Sequence, residues 1–357
     1  MGSIITGTGS VLPNRKITNA YFSDFKFYKK DRTPIEKSGL DVIKKLEEIS
    51  GIKERRFIGE DEQSADLLFE TCSEAIRDAG IDKNEIDGII VAHNSGNMLM
   101  NKGATYHSVP NLAAVLKNKL EIDNYNCVAY DILFGCPGWV QGSIQANRLI
   151  ATGEANHVLV VGLEVASRLL DPHDLDSLLM GDGCGATIFS KNDLKEKGIL
   201  ATATFSHAQK DLYNIGLGPS LNPEAQDLGD NFFKMNGKEV YRYATRWLPQ
   251  VIKKALDKVN ITPKDIDVFF FHQANAKMLK VIAHNLMKLY GEEDESYEFK
   301  IPSSIEFLGN TSVATVPTLF DLVRKGKMKN FKLIKGQKYV FASVGSGMHC
   351  NAIIYQN

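Results

Sequence analysis

Residues 81–95 read IDKNEIDGIIVAHNS, and residues 261–275 read ITPKDIDVFFFHQAN. The second stretch begins 180 positions after the first. Each opens on isoleucine, passes through a polar turn with an acid, and then runs Ile-Asp into four or five apolar residues. Such a short, unbroken apolar run bounded by turn residues predicts a buried strand. Each also follows a helical pattern: Ser64–Ala79 closed by Gly80, and Val240–Val259 closed by Asn260. A further pair is His157–Gly162 and Lys338–Ser343, which lead toward the turns Gly181-Asp182-Gly183-Cys184-Gly185 and Gly345-Ser346-Gly347. Chance likeness between short apolar segments is the competing reading. The offset shared by neighbouring elements argues against it.

Apolar strands alternating with long helices predict an α/β fold with sheets covered on both faces. The chain of 357 residues then divides into two similar halves, 1–190 and 191–357. No low-complexity stretch separates them, so they are expected to pack as one body. The seam would be a pseudo-twofold axis, a usual place for a ligand cleft. A composition 43% hydrophobic and 24% charged excludes a disordered or collagen-like chain. With 42 basic and 43 acidic residues, no global field favours nucleic acid. Runs such as Gly88–Ala92 and Val158–Ala166 are far short of the roughly 20 residues of a membrane span. The N-terminus lacks a signal-peptide layout, which predicts a cytoplasmic protein. Met1–Thr6 fits the loose myristoylation pattern, but Ser3–Thr8 reads better as a first strand. The five cysteines are odd in number and scattered, with no CxxC, so neither a disulfide framework nor a zinc site is expected.

Cys136 lies in Tyr130-Asp131-Ile132-Leu133-Phe134-Gly135-Cys136-Pro137-Gly138-Trp139, between a strand-like run (Val128–Phe134) and a helical pattern through Val140, Ile144, Asn147 and Ile150. Pro137 suits the first helical position, which puts Cys136 at a helix N-terminus. Unpaired amides there would lower its pKa. An inert, buried cysteine is the plainer alternative. His272 leaves the strand Val268–Phe271 at its C-terminal end, where α/β folds place ligands; a core histidine is the alternative. Asn310 follows Gly309 and precedes an apolar helix, Val313–Val323, interrupted by Pro317. A helix cap is the alternative there. Cysteine, histidine and asparagine on separate turns suggest a thiol protease, but the spacing disagrees. The sequence holds no G-x-S-x-G, H-E-x-x-H or phosphate-loop motif, and neither glycine turn forms a dinucleotide fingerprint.

At these residues the chain resembles the thiolase-fold condensing enzymes, most closely the β-ketoacyl-acyl-carrier-protein synthase III family. Ile4–Pro13 resembles that family's opening strand and turn, and Ser50-Gly51-Ile52-Lys53-Glu54-Arg55-Arg56 its Thr-Gly-Ile-x-x-Arg element. Gly181–Ala186, His272-Gln273-Ala274-Asn275 and Gly309-Asn310-Thr311-Ser312 follow in the family's order. The resemblance implies a layered thiolase-like fold of two βαβαβαββ halves. It implies a decarboxylative Claisen condensation without a resident cofactor or metal. An acyl group passes from a thioester to Cys136, and a malonyl unit on acyl-carrier protein loses CO2 and attacks it. His272 and Asn310 would stabilise the enolate as neutral donors. An oxyanion hole would use the Cys136 amide and one from Gly345, Ser346 or Gly347, most naturally Ser346. Asn275 would support the site from behind, and a homodimer is implied.

Several residues depart from the family pattern. Asp41–Ile49 has no aromatic where relatives that use a coenzyme A primer carry a tryptophan, although Arg168, near the other adenine contact, is retained. The surroundings of Cys136 are bulkier, and Asn94–Pro110 is longer. Together these argue against an acetyl-coenzyme A primer and for a longer or unusual acyl donor, with coenzyme A and carrier protein both open as its bearer, in fatty acid or in specialised lipid or polyketide synthesis. Lys277, Lys280 and Arg246 are candidates for steering an acidic carrier, with a solvated face as the alternative. Arg324–Lys338 reads as a solvated basic stretch, and Asp171–Asp176 as helix-capping acids rather than a metal site. His93 reads as structural and Glu292–Glu295 as an exposed acidic loop. Non-decarboxylative condensation or acyl transfer, and an inactive binding paralogue, are the alternatives of function.

Overall fold

The computed structural model describes residues 2–100, 104–194, 196–209, 211–228, 232–292 and 296–357. Residues 101–103 of the loop Asn94–Pro110 and 293–295 of the acidic run lie outside them. Within that loop, Asn97–Met100 and Ala104–His107 pair as an antiparallel ribbon.

The first sheet takes all its strands from residues 2–192: β1 (Gly2–Val11), β2 (Gly88–Ala92), β3 (Val128–Ile132), β4 (His157–Glu164) and β5 (Gly183–Asn192), in the order β1-β5-β4-β2-β3. The second takes its strands from residues 198–356: β6 (Gly198–Ser206), β7 (Val268–Phe271), β8 (Lys338–Gly345) and β9 (His349–Gln356), in the order β6-β9-β8-β7. The repeat seen in the sequence superimposes β2 on β7 and β4 on β8, and the two orders then coincide. Parallel and antiparallel neighbours coincide too: β2 runs parallel to β4 as β7 does to β8, while β5 and β9 are antiparallel to theirs.

Strand alternation assigns each sheet two faces. Ile89 and Val91 face one way, against α1 (Ser64–Ala79) and α2 (Leu112–Lys119). Ile90 and Ala92 face the other way, against α3 (Gly138–Thr152). In the second sheet Phe269 and Phe271 meet α4 (Gly237–Asp257) and α5 (Ala276–Lys288). Val268 and Phe270 share the inner core with α6 (Thr315–Arg324). The result is five layers, α1/α2, sheet, α3/α6, sheet, α4/α5. The middle core mixes both halves: Trp139, Val160 and Phe189 pack in one cluster with Phe270, Phe341 and Tyr355.

Local sequence sets the ends of these helices. Gln63 and Asp66 form a reciprocal cap at the start of α1, and Gly80 closes it with φ 68. Asn260, in the left-handed region at φ 52, ends the turn after α4 as the sequence predicts. That helix begins three residues earlier than its apolar pattern and continues through Pro249. An interior proline costs about 3 kcal/mol because it frees the carbonyl four residues back. Here that carbonyl, on Thr245, accepts from Asn285 Nδ2 of α5 at 2.8 Å.

Four expectations change. Counting only main-sheet strands and the long helices packed on them, the second half runs βαβααββ among the described residues, because residues 301–304 form no ladder where the counterpart of β3 would lie. Pro302 has no amide to offer. The buried Gln273 takes up the remaining groups, donating to the Pro302 carbonyl at 2.7 Å and accepting from the Ser304 amide at 2.8 Å. Pro317 does not interrupt a helix. A short 3-10 turn, Ser312–Ala314, precedes α6, and Pro317 falls in its first turn, where its amide is not needed. Pro137 is the N-cap of α3 rather than its first residue. The basic stretch after α6 is partly internal: Arg324 donates to Thr8 Oγ1 and the Thr6 carbonyl, and Lys325 pairs with Glu74 and Asp321. No helix among the described residues is long and apolar enough to cross a membrane.

Candidate active site

Cys136 precedes α3, Asn310 and Ser312 precede α6, and His272 follows β7. These ends converge on a cavity of about 310 Å³ between the halves, lined by Cys136, His272, Asn310, Glu164, Ser312 and Ser346 among others. Ser312 joins the group. Its hydroxyl donates to Cys136 Sγ at 3.2 Å, its amide donates to Asn310 Oδ1 at 2.9 Å, and its backbone hydrogen-bonds the His272 imidazole. With Oδ1 engaged, Nδ2 is the end of Asn310 left to meet a ligand. His272 is 3% exposed, and its Nδ1 is enclosed with no hydrogen-bond partner among the described residues. Burial pushes the imidazole down to about 4, against a small upward pull from the Ser312 backbone, so it is neutral near pH 7.

The sulfur departs from expectation. Burial pushes the Cys136 thiol up to about 11. The Ser312 hydroxyl and the amides of Cys136 and Ser346 pull it down, and the nearby Glu164 pushes it up. Desolvation therefore outweighs the start of the helix, and the resting group is a thiol. The same two amides, Cys136 and Ser346, face the sulfur as an oxyanion hole would. Glycine is required for this approach: a Cβ on Gly345 would stand 2.7 Å from the Cys136 nitrogen and 2.9 Å from Sγ. Gly135, at φ 64, packs back against Ser346. Phe134 stacks on His349 at 4.1 Å along the same wall. Trp139 is buried in the middle core and does not reach the cavity.

Residues 130–208 match the family described as 3-Oxoacyl-[acyl-carrier-protein (ACP)] synthase III, and residues 256–357 match its C-terminal region. A beta-ketoacyl-[acyl-carrier-protein] synthase III of Pseudoalteromonas atlantica is 33% identical over 97% of this chain and 97% of that one. The chain belongs to the β-ketoacyl-acyl-carrier-protein synthase III family. It is a condensing enzyme, an acyltransferase of fatty acid synthesis. A synthase III of Vibrio vulnificus is 32% identical, again over 97% of each chain. The crystal structure of the Pseudomonas aeruginosa synthase III shares the fold, with a TM-score of 0.80 and 24% identity over 100% of this chain and 98% of that one.

In this synthase III Ser346 and Gly347 line the cavity, but Asn275 and the candidate binding residues Arg168, Lys277, Lys280 and Arg246 sit elsewhere than its wall. Asn275 caps α5, accepting from the Lys277 amide at 2.9 Å and the Met278 amide at 3.3 Å. Arg168 donates to the carbonyls of Gly59 and Glu62 and so fastens that loop. Lys280 pairs with Glu298 at 2.6 Å, and Arg246 covers the Trp247 ring at 4.8 Å. Lys277 is exposed at the start of α5. His93 is structural: it bonds Asp131 at 2.9 Å and accepts from the Gly96 amide. Asp171 and Asp174 bind Lys234, and Asp174 and Asp176 bind Lys30. Lys234 belongs to a ribbon, Ile215–Gly218 with Phe232–Met235, that walls one side of the cavity.

The sequence reading missed Glu164, Asn94 and this ribbon. Glu164 was legible as the lone acid within the apolar run Val158–Ala166. Cys136 is half-buried with its sulfur desolvated at the cavity, whereas the other four cysteines are fully buried. Brief iodoacetamide treatment of the native synthase is therefore expected to modify Cys136 well before the others, as read by peptide mass spectrometry. Equal modification of all five would show that the cavity does not admit reagent to the sulfur.

Proposed function

We propose that Cys136 accepts an acyl group from a thioester and that the bound acyl group is attacked by an enolate formed from malonyl-acyl-carrier protein with loss of CO2. His272 and Asn310 stabilise that enolate. The Cys136 and Ser346 amides hold the oxyanion of the acyl-transfer steps. The observation carrying this reading is the junction at Ser312, which ties the sulfur, a neutral imidazole and a committed carboxamide into one wall. Neutrality suits the task, because a developing enolate needs donors that do not give their protons away. Thioester exchange at sulfur needs no resident cofactor.

The donor in this proposal is longer than acetyl and arrives on acyl-carrier protein. Leu133, Ile215, Leu217, Phe233 and Met278 give the cavity an apolar lining suited to an acyl chain. The enzyme acts in the cytoplasm as a homodimer; five unpaired cysteines support the reducing compartment. Intact-mass measurement after incubation with acyl-coenzyme A and acyl-carrier thioesters of increasing length is expected to show acylation at Cys136, strongest for medium or longer chains on carrier protein. Adding malonyl-carrier protein is then expected to release CO2 with the condensed product. Acylation and condensation without CO2 would favour a non-decarboxylative reaction, and no acylation by any donor would leave a binding role.

A further inference from the structure

Glu164 ends β4 and is 3% exposed, facing the same cavity as Cys136. No step described so far uses it. A buried carboxyl is costly unless its hydrogen bonds are met, and here they lead toward the nucleophile. Asn94 Nδ2 donates to Glu164 Oε2 at 2.6 Å and to Ser312 Oγ at 3.0 Å. The Ser312 side chain hydrogen-bonds Glu164 as well, and its oxygen lies 3.2 Å from Cys136 Sγ. One hydroxyl thus touches both carboxyl and sulfur while Asn94 fixes its position. Ser312 holds φ 46, a conformation that residues with a Cβ adopt at a cost.

A thiol that attacks a thioester must lose its proton. The thiol here is pushed up to about 11, and the imidazole, pushed down to about 4, is a weak acceptor. Burial brings Glu164 up to about 7, within the range of an effective base at neutral pH. The groups that face it are Asn94, Ser312, Asp182 and His93, and its own charge acts on Cys136. Asp182 is held by the Ser167 and Ile58 amides, and His93 is held by Asp131.

We propose that Glu164, acting through the Ser312 hydroxyl, receives the Cys136 proton as the sulfur attacks an acyl thioester. This rests on the acyl-transfer reaction proposed above. For transfer the Ser312 hydroxyl turns its hydrogen from Sγ to Glu164, so that the thiol donates to Oγ; the thiol proton then passes to Ser312 Oγ while the hydroxyl's own proton passes to a Glu164 oxygen. The sulfur electron pair forms the new S–C bond. When the original C–S bond breaks, the departing thiolate recovers a proton from Glu164 by the same route. The products are acyl-Cys136, an ionised Glu164 and a free carrier thiol.

The test is the rate of Cys136 alkylation by iodoacetamide from pH 5 to 9, since that reaction also discharges the thiol proton and needs no acyl specificity. The wild type is expected to rise through a limb near pH 7 and then level off. Glu164→Gln is expected to lose the limb and to react about tenfold or more slowly at pH 7.5. If Glu164 were only a neighbouring negative charge, its removal would ease ionisation of the sulfur. A variant as fast as, or faster than, the wild type therefore overturns the relay. Ser312→Ala keeps the carboxyl and breaks the connection, so it is expected to lose the same limb. If Glu164→Gln does not fold, judged by its melting, a limb retained in Ser312→Ala overturns the proposal alone. Failure of the acyl-donor panel with a normal alkylation profile would count against the reaction and not against the relay.

Discussion

Cys136→Ala is expected to abolish acyl transfer, by about 10⁴-fold or more, while malonyl-carrier protein still loses CO2 on the enzyme. The alanine removes the atom that forms the thioester and leaves His272, Asn310 and the cavity lining in place. Cys136 is held by backbone at Gly345 and Ser346, and alanine fits wherever that backbone admits a cysteine Cβ. Intact-mass measurement reads acylation, and release of labelled CO2 reads decarboxylation. Loss of both activities in a variant that melts normally would show that the sulfur also takes part in decarboxylation and would dissolve the division of labour.

The complementary result is expected from His272→Ala and Asn310→Ala. Each removes one donor to the enolate, so each should slow decarboxylation by about 10²–10³-fold while the variants still take an acyl group onto Cys136. The wild-type decarboxylation step carries a pH signature as well. In the proposed reaction His272 acts as a neutral donor, and burial depresses it to about 4. The step should therefore hold its rate from neutrality downward and fail only as pH drops through about 4, when the imidazole becomes charged. A midpoint near the ordinary histidine value would show a hydrated imidazole and remove the reason for assigning it this role. Asn310 has a second duty, since its Oδ1 accepts from the Ser312 amide. Asn310→Asp preserves that acceptor and removes the Nδ2 donor, so it separates the two duties.

Much of this fold was readable because hydrophobic periodicity survives in both halves. The strands Gly88–Ala92 and Val268–Phe271 are single apolar runs, and Ser64–Ala79 and its cap lie where the residues put them. What escaped were places where one side chain replaces a regular element. No period announces that Gln273 will satisfy Pro302 and Ser304 in place of a neighbouring strand. The ionisation of Cys136 escaped for a related reason. The Gly-Cys-Pro junction reveals a helix start, but not how much water the surrounding Gly345, Ser346 and Phe134 exclude. Glu164 was hidden inside an apolar run whose overall character was read correctly and whose single acid was averaged away. Ser312 was quoted only as part of a motif; that it links three side chains depends on a fold-dependent meeting of β4, α3 and α6.

The middle layer bears on how such an enzyme tolerates change. The sulfur stands just before α3 and the carboxamide on the turn before α6, and both helices are clamped between two sheets with side chains of either half interleaved, Trp139 against Phe341 among them. The distance between Cys136 and the turn bearing Asn310 is a property of the shared interior, so substitutions among these buried aromatics bear on the site's geometry as well as on stability. The outer helices, remote from that interior, are where the two copies have room to diverge.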